Sequence, residues 1–332
     1  MLNLHRPARP GSPRGRSILV VALAMMLAFA GSAIGAAAQD DLPTVTIGSK
    51  DFTEQILVSE MLAQLLEDAG YPVERQLNLG GTTLVHQALV SGEIDAYAEY
   101  TGTGLLVILE LPLPAAGATP TADATPTADA TPTSLVDTVY DMVQQGYQEE
   151  FDLVWLDPLG FNNTYTLAMR GDQAAELGVE TISDLIGLDA DLRFGATQEF
   201  VVRPDGLPGL LEAYPGLEFA EESGMDPGLV YEALDSEQVD IISAFATDGR
   251  IPALGFVTLE DDLGFFPPYF AAPVVRQELL DADPAVAEVL NQLAGAIDDQ
   301  TMADLNFQVD SGAEAADVAR DFLVEQGLIE AP

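Results

Sequence analysis

No cysteine occurs anywhere in the 332 residues, which excludes disulfides, thiol catalysis, thiolate metal sites and a lipid anchor on a terminal cysteine. Histidine is nearly missing too. His5 and His86 are the only two, so a serine–histidine–carboxylate site would have to use one of them, and no Gly-x-Ser-x-Gly elbow is present. A phosphate loop of the Gly-x-x-x-x-Gly-Lys type is lacking, as is EF-hand spacing. Basic residues are scarce: 12 stand against 54 acidic ones, for a net charge of −42. That balance repels a phosphate backbone and argues against nucleic acid as a partner. Lysine is reduced to one residue, Lys50.

Several features are present in strength. Arg6, Arg9, Arg14 and Arg16 precede an apolar run from Ile18 to Ala30, and Ala36-Ala37-Ala38 supplies small residues after it. This pattern predicts a signal peptide over 1–38, secretion across the cytoplasmic membrane and a periplasmic or cell-surface location. From Val45 onward, short β-branched runs alternate with helical periodicity. Val45-Thr46-Ile47, Pro72–Leu79 and Ile94–Tyr100 read as strands. The helix between the first two carries Ile56, Leu57, Met61, Leu62, Leu65, Leu66 and Ala69 at the 3.6 period, capped by Asp51 or Thr53. Gly80-Gly81-Thr82-Thr83 opens a second helix that Gly92 ends. A β-α-β-α-β series of this kind predicts a mostly parallel sheet in an α/β fold.

Residues 112–134 repeat Ala-Thr-Pro-Thr-Ala-Asp and hold no large apolar side chain after Leu113, which predicts a disordered surface insertion. A second α/β set follows. Strands are expected at Tyr165–Met169, Leu192–Ala196 and Val239–Ala244, with helices near Ile182–Ile186, Gly209–Tyr214 and Pro227–Leu234. Three helical patterns close the chain, around Pro284–Ile297, Met302–Phe307 and Ala313–Gln326.

The side chains that stand out are aromatics and cations in loops flanked by glycine or proline. Tyr100, Tyr165, Phe245 and Tyr269 are so placed, as is Arg203 in Arg203-Pro204-Asp205-Gly206. Lys50 sits where the first strand gives way to the first helix, the kind of junction at which α/β folds hold ligands. His86 falls within an amphipathic helix and reads as a half-buried helix residue.

Together the segments Gly48-Ser49-Lys50-Asp51-Phe52-Thr53-Glu54-Gln55, Leu79-Gly80-Gly81-Thr82, Glu99-Tyr100-Thr101-Gly102-Thr103, Arg203–Pro208, Thr247-Asp248-Gly249-Arg250 and Pro267-Pro268-Tyr269 resemble the substrate-binding proteins of osmoprotectant ABC importers. The stretch from Asp298 to Asp310 resembles that family's tail. The resemblance implies a two-lobed periplasmic-binding-protein fold (type II-like), with hinge-connected lobes and a ligand cleft between them. Lobe 1 would comprise 43–162 plus 261–332, and lobe 2 would comprise 163–260. It implies an aromatic cage of Tyr100, Tyr165, Phe245 and Tyr269 around a quaternary ammonium, with Lys50, Thr103 and Arg203 on the carboxylate. Asn163 stands where some relatives carry aspartate, and Phe245 where some carry tyrosine.

The function so implied is capture, without catalysis, cofactor or metal, of a quaternary amine by a monomer that serves an ABC permease and its ATPase. Ring faces suit a cation that has no N–H to donate. Two cations in the cleft are expected to reverse the surface's negative potential there and favour a glycine betaine-type zwitterion over choline. The alternatives are a binder of choline or of an amino acid, and a hydrolase acting on a small zwitterion.

Overall fold

A computed structural model describes residues 42–114, 134–188 and 191–331. The leader over 1–38 and most of the predicted insertion, 115–133, lie outside the described residues.

Among the described residues, ten strands form two five-stranded sheets. In the first sheet, β1 (Val45–Gly48) pairs in parallel with β2 (Val73–Gln76) and β3 (Ala96–Tyr100). The antiparallel strand β10 (Ala271–Arg276) lies between β3 and β4 (Leu153–Trp155). The second sheet repeats the plan. β6 (Arg193–Thr197) pairs in parallel with β7 (Glu221–Met225) and β8 (Ile241–Phe245), and antiparallel β5 (Tyr165–Arg170) lies between β8 and β9 (Phe256–Leu259). The chain therefore crosses between sheets twice, after β4 and after β9, and each crossing delivers the antiparallel strand of the sheet it enters.

Helix α1 (Thr53–Asp68) buries Leu57, Val58, Met61, Leu62, Leu65 and Leu66 between the first sheet and the C-terminal helices, as its periodicity requires. Its cap differs from expectation. Phe52 is the N-cap residue, and no side chain accepts a hydrogen bond there, so neither Asp51 nor Thr53 caps the helix. Helix α2 (Thr82–Ser91) ends at Gly92 in the left-handed region, as predicted. Ser134, assigned to the insertion from sequence, instead closes a capping box with Asp137 at the start of α3 (Leu135–Phe151), so ordered structure begins at that residue.

The second sheet carries α4 (Gly171–Leu177), α5 (Gln198–Val202), α6 (Leu207–Ala213) and α7 (Pro227–Asp235). The helix expected near Ile182–Ile186 is a single 3₁₀ turn over Ser183–Leu185. At the C-terminus α8 (Asp299–Asp310) and α9 (Ala315–Glu325) pack on α1. The long helix expected over Pro284–Ile297 is broken: Ala285–Leu290 is helical and Asn291–Leu293 is a tight turn. No helix among the described residues is long and apolar enough to cross a membrane.

Candidate functional site

The four aromatic residues singled out in the sequence stand at strand ends beside the two crossings, and the sheet registers bring them together. Tyr165 opens β5 and Phe245 ends β8, and the two are direct register partners. Tyr100 ends β3, and Tyr269 lies two residues before its register partner Ala271 on β10. The Tyr165 ring lies 5.0 Å from that of Phe245 and 5.5 Å, edge-on, from that of Tyr269. All four rings line one cavity of about 230 Å³, together with Lys50, Thr103 and Arg203. The structure thus gathers all seven side chains picked from sequence.

A fifth ring was not picked. Phe52 also lines the cavity, with its ring stacked on Phe245 and 6.3 Å from Tyr100. It lay inside the Gly48–Gln55 motif, but its local pattern did not distinguish it from a core residue.

Beneath the rings sits Glu54, 3% exposed and also not picked. Its carboxylate accepts from Tyr100 Oη (2.7 Å), Asn163 Nδ2 (2.7 Å), Thr247 Oγ1 (2.5 Å) and Asn306 Nδ2 (3.0 Å). Burial raises its pKa, and the four hydrogen bonds counter that in part. This network explains Asn163. An aspartate there would set a second carboxylate at hydrogen-bond distance from Glu54, whereas the amide supplies a donor.

The cations do not stand free. Lys50 Nζ donates to Glu99 at 2.6 Å and to Thr82 Oγ1 at 3.0 Å, with both charged groups buried. Arg203 grips Asp205 with the two N–H groups of one edge, Nε to Oδ1 at 2.8 Å and Nη2 to Oδ2 at 2.5 Å, and Nη2 also donates to Thr103 Oγ1 at 3.0 Å. Tyr269 Oη donates to the same Asp205 at 2.7 Å. The wall further holds Asp51, Glu199 and Asp226. The expectation that two cations would reverse the local potential is therefore corrected. Each has its own carboxylate, which leaves the Nη1 edge of Arg203 and the third N–H of Lys50 without a hydrogen bond among the described residues.

His86 lies on α2, away from the cavity, edge-on to Tyr147 and Phe151, and burial lowers its pKa. Among the described residues no cluster of histidine, aspartate and glutamate is arranged to hold a metal ion.

Residues 43–325 match the family described as the substrate binding domain of ABC-type glycine betaine transport systems. The chain is 37% identical over 320 residues to a glycine-betaine-binding protein of Pseudomonas aeruginosa, covering 92% of this chain and 94% of that one. It is 36% identical over 312 residues to an ergothioneine transport permease/ergothioneine binding protein of Helicobacter pylori; this covers 93% of the chain but only 52% of the relative's length. Among solved structures, one of a glycine betaine/carnitine/choline ABC transporter protein superposes with a TM-score of 0.66 at 33% identity, over 86% of this chain and all of the other.

Proposed function

The chain belongs to the family of substrate-binding domains of ABC-type glycine betaine transport systems, and from that premise we propose that its ligand is a methylated zwitterion of the glycine betaine type. The observation that carries this reading is the convergence, on one cavity, of rings from both sheets with the open edges of Arg203 and Lys50. In this reading Tyr100, Tyr165, Phe245 and Tyr269 enclose the trimethylammonium group. Each desolvated ring face contributes about 0.5–2 kcal/mol. Lys50, Thr103 and Arg203 direct N–H and O–H groups at the carboxylate, and choline leaves those directions unused.

The lobes in this reading are 43–162 plus 261–332 and 163–260, closing by a hinge at the crossings. The protein binds without chemistry, and as a monomer it hands its ligand to a permease driven by an ATPase. The leader over 1–38 delivers it across the cytoplasmic membrane to the periplasm or cell surface. A larger methylated zwitterion is a second reading. It is favoured by a second cavity of about 210 Å³ that shares Phe52, Phe245 and Asn163 with the first.

Calorimetric titration with glycine betaine, choline, carnitine and ergothioneine, with mass spectrometry of the recovered ligand, tests all of this. Glycine betaine is expected to bind more tightly than choline and to be recovered unchanged. Tighter choline binding, or binding of none of the four, sinks the zwitterion assignment.

A further inference from the structure

Helix α2 begins without a capping side chain of its own. Its N-cap residue is Gly81, and the first helical N–H, that of Thr82, donates at 2.6 Å to Oε1 of Glu199. Thr82 Oγ1 lies 3.4 Å from Oε2 of the same carboxylate. Glu199 belongs to α5, which follows β6 in the second sheet, so the cap is delivered from the opposite side of the cavity. Room for it depends on Gly81, because a Cβ there would overlap the Glu199 carboxylate. A carboxylate at this helix end is favoured by the unpaired N–H groups and the dipole.

The place it occupies matters more than the cap. Thr82 Oγ1, which Glu199 contacts, also accepts from Lys50 Nζ at 3.0 Å. Glu199 Oε2 lies 3.7 Å from the Nη1 edge of Arg203. These are the two cations whose open edges meet the ligand carboxylate in the zwitterion reading. Glu199 remains about a third exposed and lines the cavity. Unlike Glu99 and Asp205, it has no buried ion pair of its own at close range among the described residues.

We infer that Glu199 is a specificity-determining residue: an internal anion set beside the carboxylate subsite, which narrows the preference for zwitterions over monocations. The inference rests on the zwitterion reading and concerns the same site. The charge of Glu199 attracts an ammonium from any ligand, whereas it repels the carboxylate that only a zwitterion carries. Glutamine at this position keeps the size and the acceptor oxygen for Thr82 N–H, removes the charge and turns the second carboxylate oxygen into an amide donor.

The test is calorimetric titration of the parent protein, Glu199→Gln and Gly81→Ala with glycine betaine and with choline. In Glu199→Gln the ratio of betaine to choline affinity is expected to rise about tenfold, which is about 1.4 kcal/mol. Choline weakens, and betaine holds or gains. Gly81→Ala, which drives the charge away from Thr82, is expected to shift the ratio in the same direction. A ratio within twofold of the parent in both variants, with both ligands still bound, overturns the inference and leaves Glu199 a helix cap. Failure of the parent to bind either ligand refutes the zwitterion reading itself, and with it this inference.

Discussion

The rings of Phe52 and Phe245 lie nearly parallel, 5.5 Å apart and inclined by 9°, although one opens α1 beside the first sheet and the other ends a strand of the second. The stack joins the two halves of the molecule beside the cavity. It also forms part of the wall shared with the neighbouring cavity. Phe52 is therefore both a cavity-lining ring and a packing contact between sheets.

Phe52→Ala is expected to weaken glycine betaine binding about tenfold, in line with the loss of one desolvated cation–π face and its stack. Phe52 is only half-buried, so the melting temperature of the ligand-free protein should fall by a few degrees at most. Calorimetry and a thermal melt on the same preparation separate the two effects.

Tyr100→Phe keeps the ring and removes one of the four donors to Glu54. A buried carboxylate that loses a donor costs about 1–3 kcal/mol. Denaturant unfolding should show a loss of that size, while betaine affinity changes less than about threefold.

Lys50→Met strands Glu99, which is fully buried and otherwise accepts only from Tyr97 Oη (2.9 Å) and Tyr100 N–H (2.7 Å) among the described residues. Breaking a buried pair from one side costs about 3–5 kcal/mol. Adding Glu99→Gln should restore most of the stability, without restoring betaine affinity. Comparing melts of the single and double variants reads this directly, and an unrecovered double variant would contradict it.

Gly102→Ala changes no ring, yet a Cβ there would sit 2.7 Å from the Tyr269 ring and 2.9 Å from the Pro268 carbonyl. Tyr269 must shift from its place in the cavity wall to admit it. Betaine affinity is expected to fall tenfold or more, measured by titration, with the fold intact by circular dichroism.

Asp240 predicts an acid-sensitive element in the second sheet. Burial opposes its ionisation, but hydrogen bonds from Arg193, Gln173 and Arg170 prevail and hold its pKa well below the usual carboxylate range. A depressed folded value means that the stabilisation is complete above the unfolded pKa, about 3.9, and is lost as pH falls further. Asp240→Asn should lower the melting temperature at pH 7. The gap from the parent should then narrow progressively below about pH 4.

Much of this architecture is legible in local sequence, because β-branched runs and helical periodicity report burial that each element arranges for itself. The strands missed are β4, β7, β9 and β10, and two of them show why. β10 contains Pro273, which argues against a central strand, yet the residue sits opposite Ala98 and only its carbonyl is needed, accepting from Leu156 N–H. β7, with Glu221 and Glu222, is a largely exposed edge of acidic composition. The charges of the site were misjudged for a similar reason. Lys50 and Arg203 are visible as rare cations, but Glu99 is 49 residues from Lys50 in sequence, and Glu199 reaches Thr82 across 117. Spacing along a chain carries no trace of such pairings. The cluster of rings was anticipated through the family resemblance, and the register of the strand ends shows how the fold assembles it.

Glu54 draws its four donors from β3, the first crossing, the turn after β8 and α8. A nascent chain that has reached β8 still lacks Asn306, and its half-built interior holds a negative charge best left in water. The last of the four donors arrives only with the final quarter of the polypeptide. Neither half, produced as a separate fragment, would hold Glu54 together with all four of its donors.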